Sequence, residues 1–222
     1  FRQGEEGRNH NPEFVILEWY RLGFDSLQLM HEVAELVDLI LGSGEYHYLT
    51  VGHLLETEFD VDVHRDSDLR LAEVARDQGL DGIVGRSDGV DFLVATALRR
   101  LPSERVFITK FPVDQAALAK TEVEGKEVVA DRFELVIHGI EVANGYHELT
   151  DADELQRRMD ADNREREDSG LPILGRDPFL LASMREGLPA CAGVAVGLDR
   201  LLALAGDHDA LSEVMAFPFD RV

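Results

Sequence analysis

The chain has 222 residues, 45% hydrophobic and 30% charged, enough for one well-cored domain and too apolar for a disordered polymer. Its 44 acidic residues outnumber 22 basic ones, and a net charge of -22 argues against a surface built to grip nucleic-acid backbones. One cysteine, Cys191, excludes an internal disulfide framework and a multi-cysteine zinc site, and no apolar run reaches the length of a membrane span or opens the chain as a signal peptide. A soluble, cytoplasmic protein without membrane partners is expected.

Basic residues divide into 19 Arg and 3 Lys, while Asp and Glu are equally numerous. Such a surface stays hydrated when salt screens its self-repulsion, which points to a salt-rich cytoplasm; high genomic GC content would explain the arginine bias alone. The chain opens at Phe1 inside a dense motif, so an N-terminal portion is expected to precede it.

Gly4, Gly7 and the Asn11-Pro12 step predict a loop, followed by a strand over 14–20. Asp25 is suited to cap a helix whose apolar positions Leu29, Met30, Val33, Leu36, Val37 and Ile40 recur with helical spacing, and Gly42 and Gly44 end it. Short helical patterns, such as Leu69-Leu71-Ala72-Val74-Ala75 and Phe92-Leu93-Ala97-Leu98, predict a helical insertion over about 45–105 with no chemistry of its own. Residues 106–111 and 133–142 are rich in β-branched and aromatic side chains and read as strands. A charged, solvated helix is expected over 151–168, and a small-residue strand over 191–198 running into a helix from Asp199. The fold class expected is α+β, an antiparallel sheet flanked by helices.

Three segments carry polar residues that a core would not choose. The first holds Arg2, Glu5, Arg8, His10, Asn11, Glu13, Glu18 and Tyr20. An arginine leading into a glycine-bearing loop can meet a phosphate with its fixed fork of donors, and Glu18 and Tyr20 share one strand face. A hairpin with a charged rim is the plainer alternative. The second segment carries Glu141 and Glu148 seven residues apart; the two could share a hard cation such as Mg²⁺, or Glu148 could be merely solvated after an Asn144-Gly145 turn. In the third, Gly193, Ala195 and Gly197 allow a backbone to approach a ligand, and Arg200 at a helix start could reach an anion, though Asp199 would also serve as an ordinary cap. His138 and Cys191 read as structural, and no Ser-His-Asp or Cys-His hydrolase pattern is present.

Together, FRxGExGRxHNPEFxxLEWYR at 1–21, GIEVANGYHELTD at 139–151 and GVAVGLDRLLAL at 193–204 resemble the catalytic core of class II aminoacyl-tRNA synthetases of the lysine branch. Within it, LEWYR, GYHELTD and Ala195 are most similar to the lysyl-tRNA synthetase paralogues that modify elongation factor P. The resemblance covers 1–222, with motif 2 at 1–21, the helical insertion at about 45–105 and motif 3 at 193–205; the motif 1 region that makes the dimer is absent from this sequence.

The resemblance implies that Arg2 binds the ATP α-phosphate and Arg200 the γ-phosphate. Asn11 and Val142 would contact ATP, His10 and Phe14 would sit by the adenine, and Gly197 would let the backbone approach the nucleotide. Many relatives carry Glu where Gly4 stands, and Glu5 takes that role here. Tyr20, Asn144, Ala195 and Glu148 would contact the lysine-type substrate, with Glu141 and Glu148 as Mg²⁺ ligands. The implied reaction is adenylation of (R)-β-lysine followed by transfer to a lysine of elongation factor P, by a homodimer when full length. Charging of tRNA is disfavoured by acidity and by the EWYR and GYHEL strings. A truncated, inactive paralogue that only binds nucleotide is the other alternative.

Overall fold

A computed structural model describes residues 1–222 apart from 3, 5, 83–84, 102–104, 169 and 222. The expected first helix is α1 (Ser26–Leu41). Asp25 accepts from the Gln28 amide at 2.8 Å while the Gln28 side chain accepts from the Asp25 amide at 3.1 Å, a closed capping box. Its buried stripe of Leu29, Met30, Val33 and Val37 packs on the sheet, each side chain contributing about 1.5–3 kcal/mol of burial. Gly42 ends it at φ 79°, a left-handed backbone that side chains rarely adopt.

Before α1 lies β1 (Ile16–Leu22), two residues later than expected; after it come β2 (His47–Thr50), α2 (Val51–Phe59), α3 (Asp68–Asp77) and α4 (Arg86–Leu98). The sheet continues with β3 (Arg105–Pro112), β4 (Thr121–Glu124), β5 (Glu127–Ile137) and β6 (Ile140–His147). Two helices, α5 (Ala152–Asp168) and α6 (Pro178–Gly187), precede β7 (Cys191–Gly197) and α7 (Leu198–Ala205). The strand order is β1-β7-β6-β5-β3-β2, with β4 pairing β5 beyond the end of β6. Pairing is antiparallel except between β2 and β3, which run parallel. The α+β expectation holds, with the qualification that the 45–105 insertion brings its own strand to the sheet edge.

Helices α1 and α7 cover one sheet face over Phe107, Phe133, Leu135, Val194 and Val196. The insertion helices α2, α3 and α4 cover the other face, but only over the β2–β3–β5 side, through Val106, Ile108, Ala130 and Val136. The cleft opens on that second face, over β1, β7, β6 and the adjoining part of β5, with α4 along one side. It is an uncovered half-face.

One local expectation and two of the plainer alternatives are corrected. The single strand expected over 133–142 is a hairpin: His138 and Gly139 turn the chain at φ 49° and 76°, and a β-rich run on both sides hides so short a turn. Asn144-Gly145 lies inside β6 and not in a turn; Gly145 is there because the Phe133 ring leaves no room, with Cζ only 2.3 Å from where a Cβ would stand. Asp199 does not cap α7. Gly197 occupies the cap position, and the Asp199 carboxylate accepts from the Val15 amide at 2.7 Å, tying the loop before β1 to the helix.

Candidate functional site

Strand register builds the site floor. Alternation along β7 sends Val194 and Val196 into the core and turns Gly193, Ala195 and Gly197 to the cleft. These small residues form a trough between taller neighbours on either side. One cross-strand row reads Glu18, Ala195, Asn144 and Glu134 from β1 to β5; the next reads Tyr20, Gly193, Tyr146 and Arg132. A Cβ at Gly193 would stand 2.5 Å from both the Glu148 Oε1 and the Tyr20 ring, so the trough is already as narrow as its walls allow.

All twelve expected site residues that fall among the described ones line this cleft of about 660 Å³. Glu5 lies outside the described residues. At one end stand Arg2, His10, Asn11, Phe14, Gly197 and Arg200. The Arg2 guanidinium lies 5.4 Å from the Phe14 ring centroid. Arg200 donates to the Glu141 carbonyl at 2.8 Å and to the Asn9 carbonyl at 3.4 Å, and its Nη1 is 3.6 Å from the Glu141 carboxylate, so it joins the three motif segments. Asn11 is buried: it donates to the Glu13 carbonyl at 2.7 Å and accepts from the Phe219 amide at 3.0 Å, which anchors the loop to the chain's C-terminal segment.

At the other end the acids gather. The Tyr20 hydroxyl donates to Glu18 at 2.8 Å, and this bond, with burial, pushes the phenol up to about 12. Burial, reinforced by Glu18, raises the Glu148 carboxyl to about 7. The Cys191 thiol is pushed up by burial and then by Glu148, which leaves it a poor nucleophile. A carboxyl held this far above its ordinary range favours a cation as guest, because an ammonium would restore the charge balance that burial disturbs. His147 turns to the opposite face, where its Nδ1 lies 3.0 Å from Asp131, which also accepts from Ser26.

The expected pairing of Glu141 with Glu148 around one cation does not form. Seven residues of extended strand separate their backbones by about 20 Å, beyond the reach of two glutamates. Both still face the cleft, because a bulge at Val142 shifts the register between Leu135 and Val136 and rotates Glu141 onto that face. Glu141's carboxylate neighbour is Glu134 on β5. Burial, followed by repulsion from Glu141, raises Glu134 to about 7 against the opposing pull of Arg132. Among the described residues no group of three or more His, Cys, Asp or Glu is arranged to hold a metal. A pair of carboxylates suits Mg²⁺, which keeps waters and takes its remaining ligands from phosphates.

Sequence reasoning missed Arg132, Glu134 and Tyr146 on the floor, and Asp91, Val94 and Leu98 of α4 as a wall. Arg132 and Glu134 alternate with the apolar Phe133 and Leu135 in β5, a signal that could have exposed them. Nothing in the periodicity of α4 distinguishes a cleft wall from a core face.

A sequence model of the family described as tRNA synthetases class II (D, K and N) matches residues 1–221. The chain is similar to the elongation factor P--(R)-beta-lysine ligase of Edwardsiella ictaluri, 40% identical over 227 residues that cover 100% of this chain and 70% of the relative. It is similar to the ligase of the same name from Pectobacterium carotovorum, 41% identical over 230 residues with coverage of 100% and 70%. The Vibrio vulnificus protein of that name is 42% identical over 228 residues, covering 99% of this chain and 69% of its own.

Proposed function

Because the chain belongs to the class II tRNA synthetase family (D, K and N), we propose that it is an ATP-dependent ligase that adenylates (R)-β-lysine and transfers it to a lysine of elongation factor P. The observation that carries this reading is the polarity of one cleft. Arg2 and Arg200 stand at its phosphate end, and Glu18, Glu148 and Tyr20 at its ammonium end. Relatives about 40% identical over the whole chain, named for that reaction, support it.

In the first step a substrate carboxylate oxygen bonds to the α-phosphorus of ATP, the bond from that phosphorus to the bridging oxygen breaks, and pyrophosphate leaves with the electron pair. In the second, the acceptor amine bonds to the acyl carbon, AMP leaves, and the amine gives up a proton. Little covalent work falls to the protein; positioning and charge stabilisation supply the rate. Arg2 orients the α-phosphate, Arg200 draws charge from the leaving pyrophosphate, and Glu148 with Glu18 and Tyr20 holds the distal ammonium. Ala195, the short residue between Glu18 and Asn144, leaves room for the chain of the amino acid. Glu141 and Glu134 would hold magnesium, which when bound neutralises phosphate charge.

Transfer is tested by incubating the chain with ATP, (R)-β-lysine and elongation factor P and reading the acceptor by mass spectrometry. The expected result is one β-lysyl adduct on a lysine; an unmodified acceptor despite active adenylation would exclude it as the acceptor. Arg200→Ala should lower ATP–pyrophosphate exchange at least about 100-fold with an unchanged circular dichroism spectrum. Wild-type exchange in that variant would refute the arginine's role.

A further inference from the structure

Arg132 is held more tightly than a charge-balancing role demands. Its guanidinium carbon lies 4.3 Å from the Phe111 ring centroid and 5.8 Å from that of Tyr146, so two aromatic rings lie against it. Nη1 donates to the Gln115 carbonyl at 2.9 Å and Nη2 to Glu134 Oε1 at 2.5 Å. Both partners of the ion pair retain only 16% of their side-chain exposure. Buried pairs contribute little net stability, because desolvating two charges offsets their attraction. The arrangement also leaves the Arg132 Nε buried without a partner, a cost that a purely structural contact would avoid.

We infer that Arg132 is a positioning residue for Glu134: the Phe111–Tyr146 slot fixes the guanidinium, and the guanidinium fixes the carboxylate beside Glu141, where the two acids receive the divalent cation that accompanies the nucleotide. This rests on the reading of the cleft as an ATP site. The geometry assigns the work to the planar fork and the rings that grip it, so a lysine at 132 would keep the charge and lose the function.

The probe is Mn²⁺, titrated into the full chain with a non-hydrolysable ATP analogue and followed by the electron paramagnetic resonance of the free ion. Arg132→Lys should weaken Mn²⁺ binding about tenfold, as removal of an outer-shell partner does. Affinity for (R)-β-lysine, measured by calorimetry, should stay within about twofold. Phe111→Leu, which opens one wall and leaves every charge in place, should weaken Mn²⁺ by about threefold. Wild-type Mn²⁺ affinity in a folded Arg132→Lys protein would overturn the inference, as would equal losses toward the ion and the amino acid. Should Arg132→Lys melt below the assay temperature, Phe111→Leu decides on the same criterion. A wild-type chain that binds nucleotide with no dependence on Mn²⁺ would instead sink the reading of the site itself.

Discussion

Gly193→Ala separates function from folding. Gly193 sits in the trough between Tyr20 and Tyr146, and an added Cβ would lie 2.5 Å from the Glu148 Oε1 and 2.5 Å from the Tyr20 Cε1, about 1 Å inside ordinary contact. Both are far ends of side chains, and Tyr20 is 54% exposed, so they yield. Overpacking costs about 1–3 kcal/mol, and alanine recovers about 0.5–1 kcal/mol over glycine in a strand interior. The net loss of stability should therefore stay within about 2.5 kcal/mol, a shift of a few degrees in the melting midpoint. The functional loss should be larger, because the displaced groups are those assigned to the ammonium, and a misplacement of about 1 Å costs about 100-fold. ATP–pyrophosphate exchange should show the KM for the amino acid rising by about that factor with the KM for ATP within about twofold. Gly145→Ala is the contrasting variant. Its Cβ would meet the fully buried Phe133 ring at 2.3 Å, and the expected result is a lowered melting midpoint. A Gly193→Ala enzyme with wild-type affinity for the amino acid, or with equal losses for both substrates, would refute the assignment.

Two further predictions follow from charge. Because Glu148 titrates near pH 7, the KM for an ammonium-bearing substrate should rise as pH falls through about 7, and Glu148→Gln should raise KM and flatten that dependence. The same carboxyl binds more protons folded than unfolded between about pH 4.5 and 7; the free protein should therefore lose stability as pH rises across that window, and less steeply in Glu148→Gln, so a rising midpoint would contradict the burial argument. With a net charge of -22, the melting midpoint should climb from low to molar KCl; a flat response would remove the salt-adaptation reading and leave the arginine bias to base composition.

The residues that gather at the two ends of the cleft were legible because Arg2, Tyr20, Glu148 and Arg200 stand in recognisable strings: Arg2 in the loop before β1, Tyr20 within β1, Glu148 directly after β6 and Arg200 in the first turn of α7. The small-residue strand was legible for the same reason, since 193, 195 and 197 alternate with valines that pack inward. What stayed hidden depended on register. The bulge at Val142 cannot be read from alternation, so Glu141 was matched with Glu148 along its own strand when its neighbour was Glu134 across the hairpin. The hairpin was itself hidden, because His138 stands at the first turn position, where asparagine, aspartate or glycine before Gly139 would signal such a turn. Strand β2, four residues long and running straight into α2, offers too short a pattern to separate from the helices around it. No helix among the described residues is long and apolar enough to cross a membrane.

The central claim is that this cleft adenylates a lysine-type amino acid, and ATP–pyrophosphate exchange measures that step directly. With (R)-β-lysine and α-lysine compared at low and high salt, exchange should depend on the amino acid and favour (R)-β-lysine. Preference for α-lysine would return the chain to the tRNA-charging branch of its family, and absence of exchange with either, while ATP still binds, would contradict the claim that this chain catalyses adenylation.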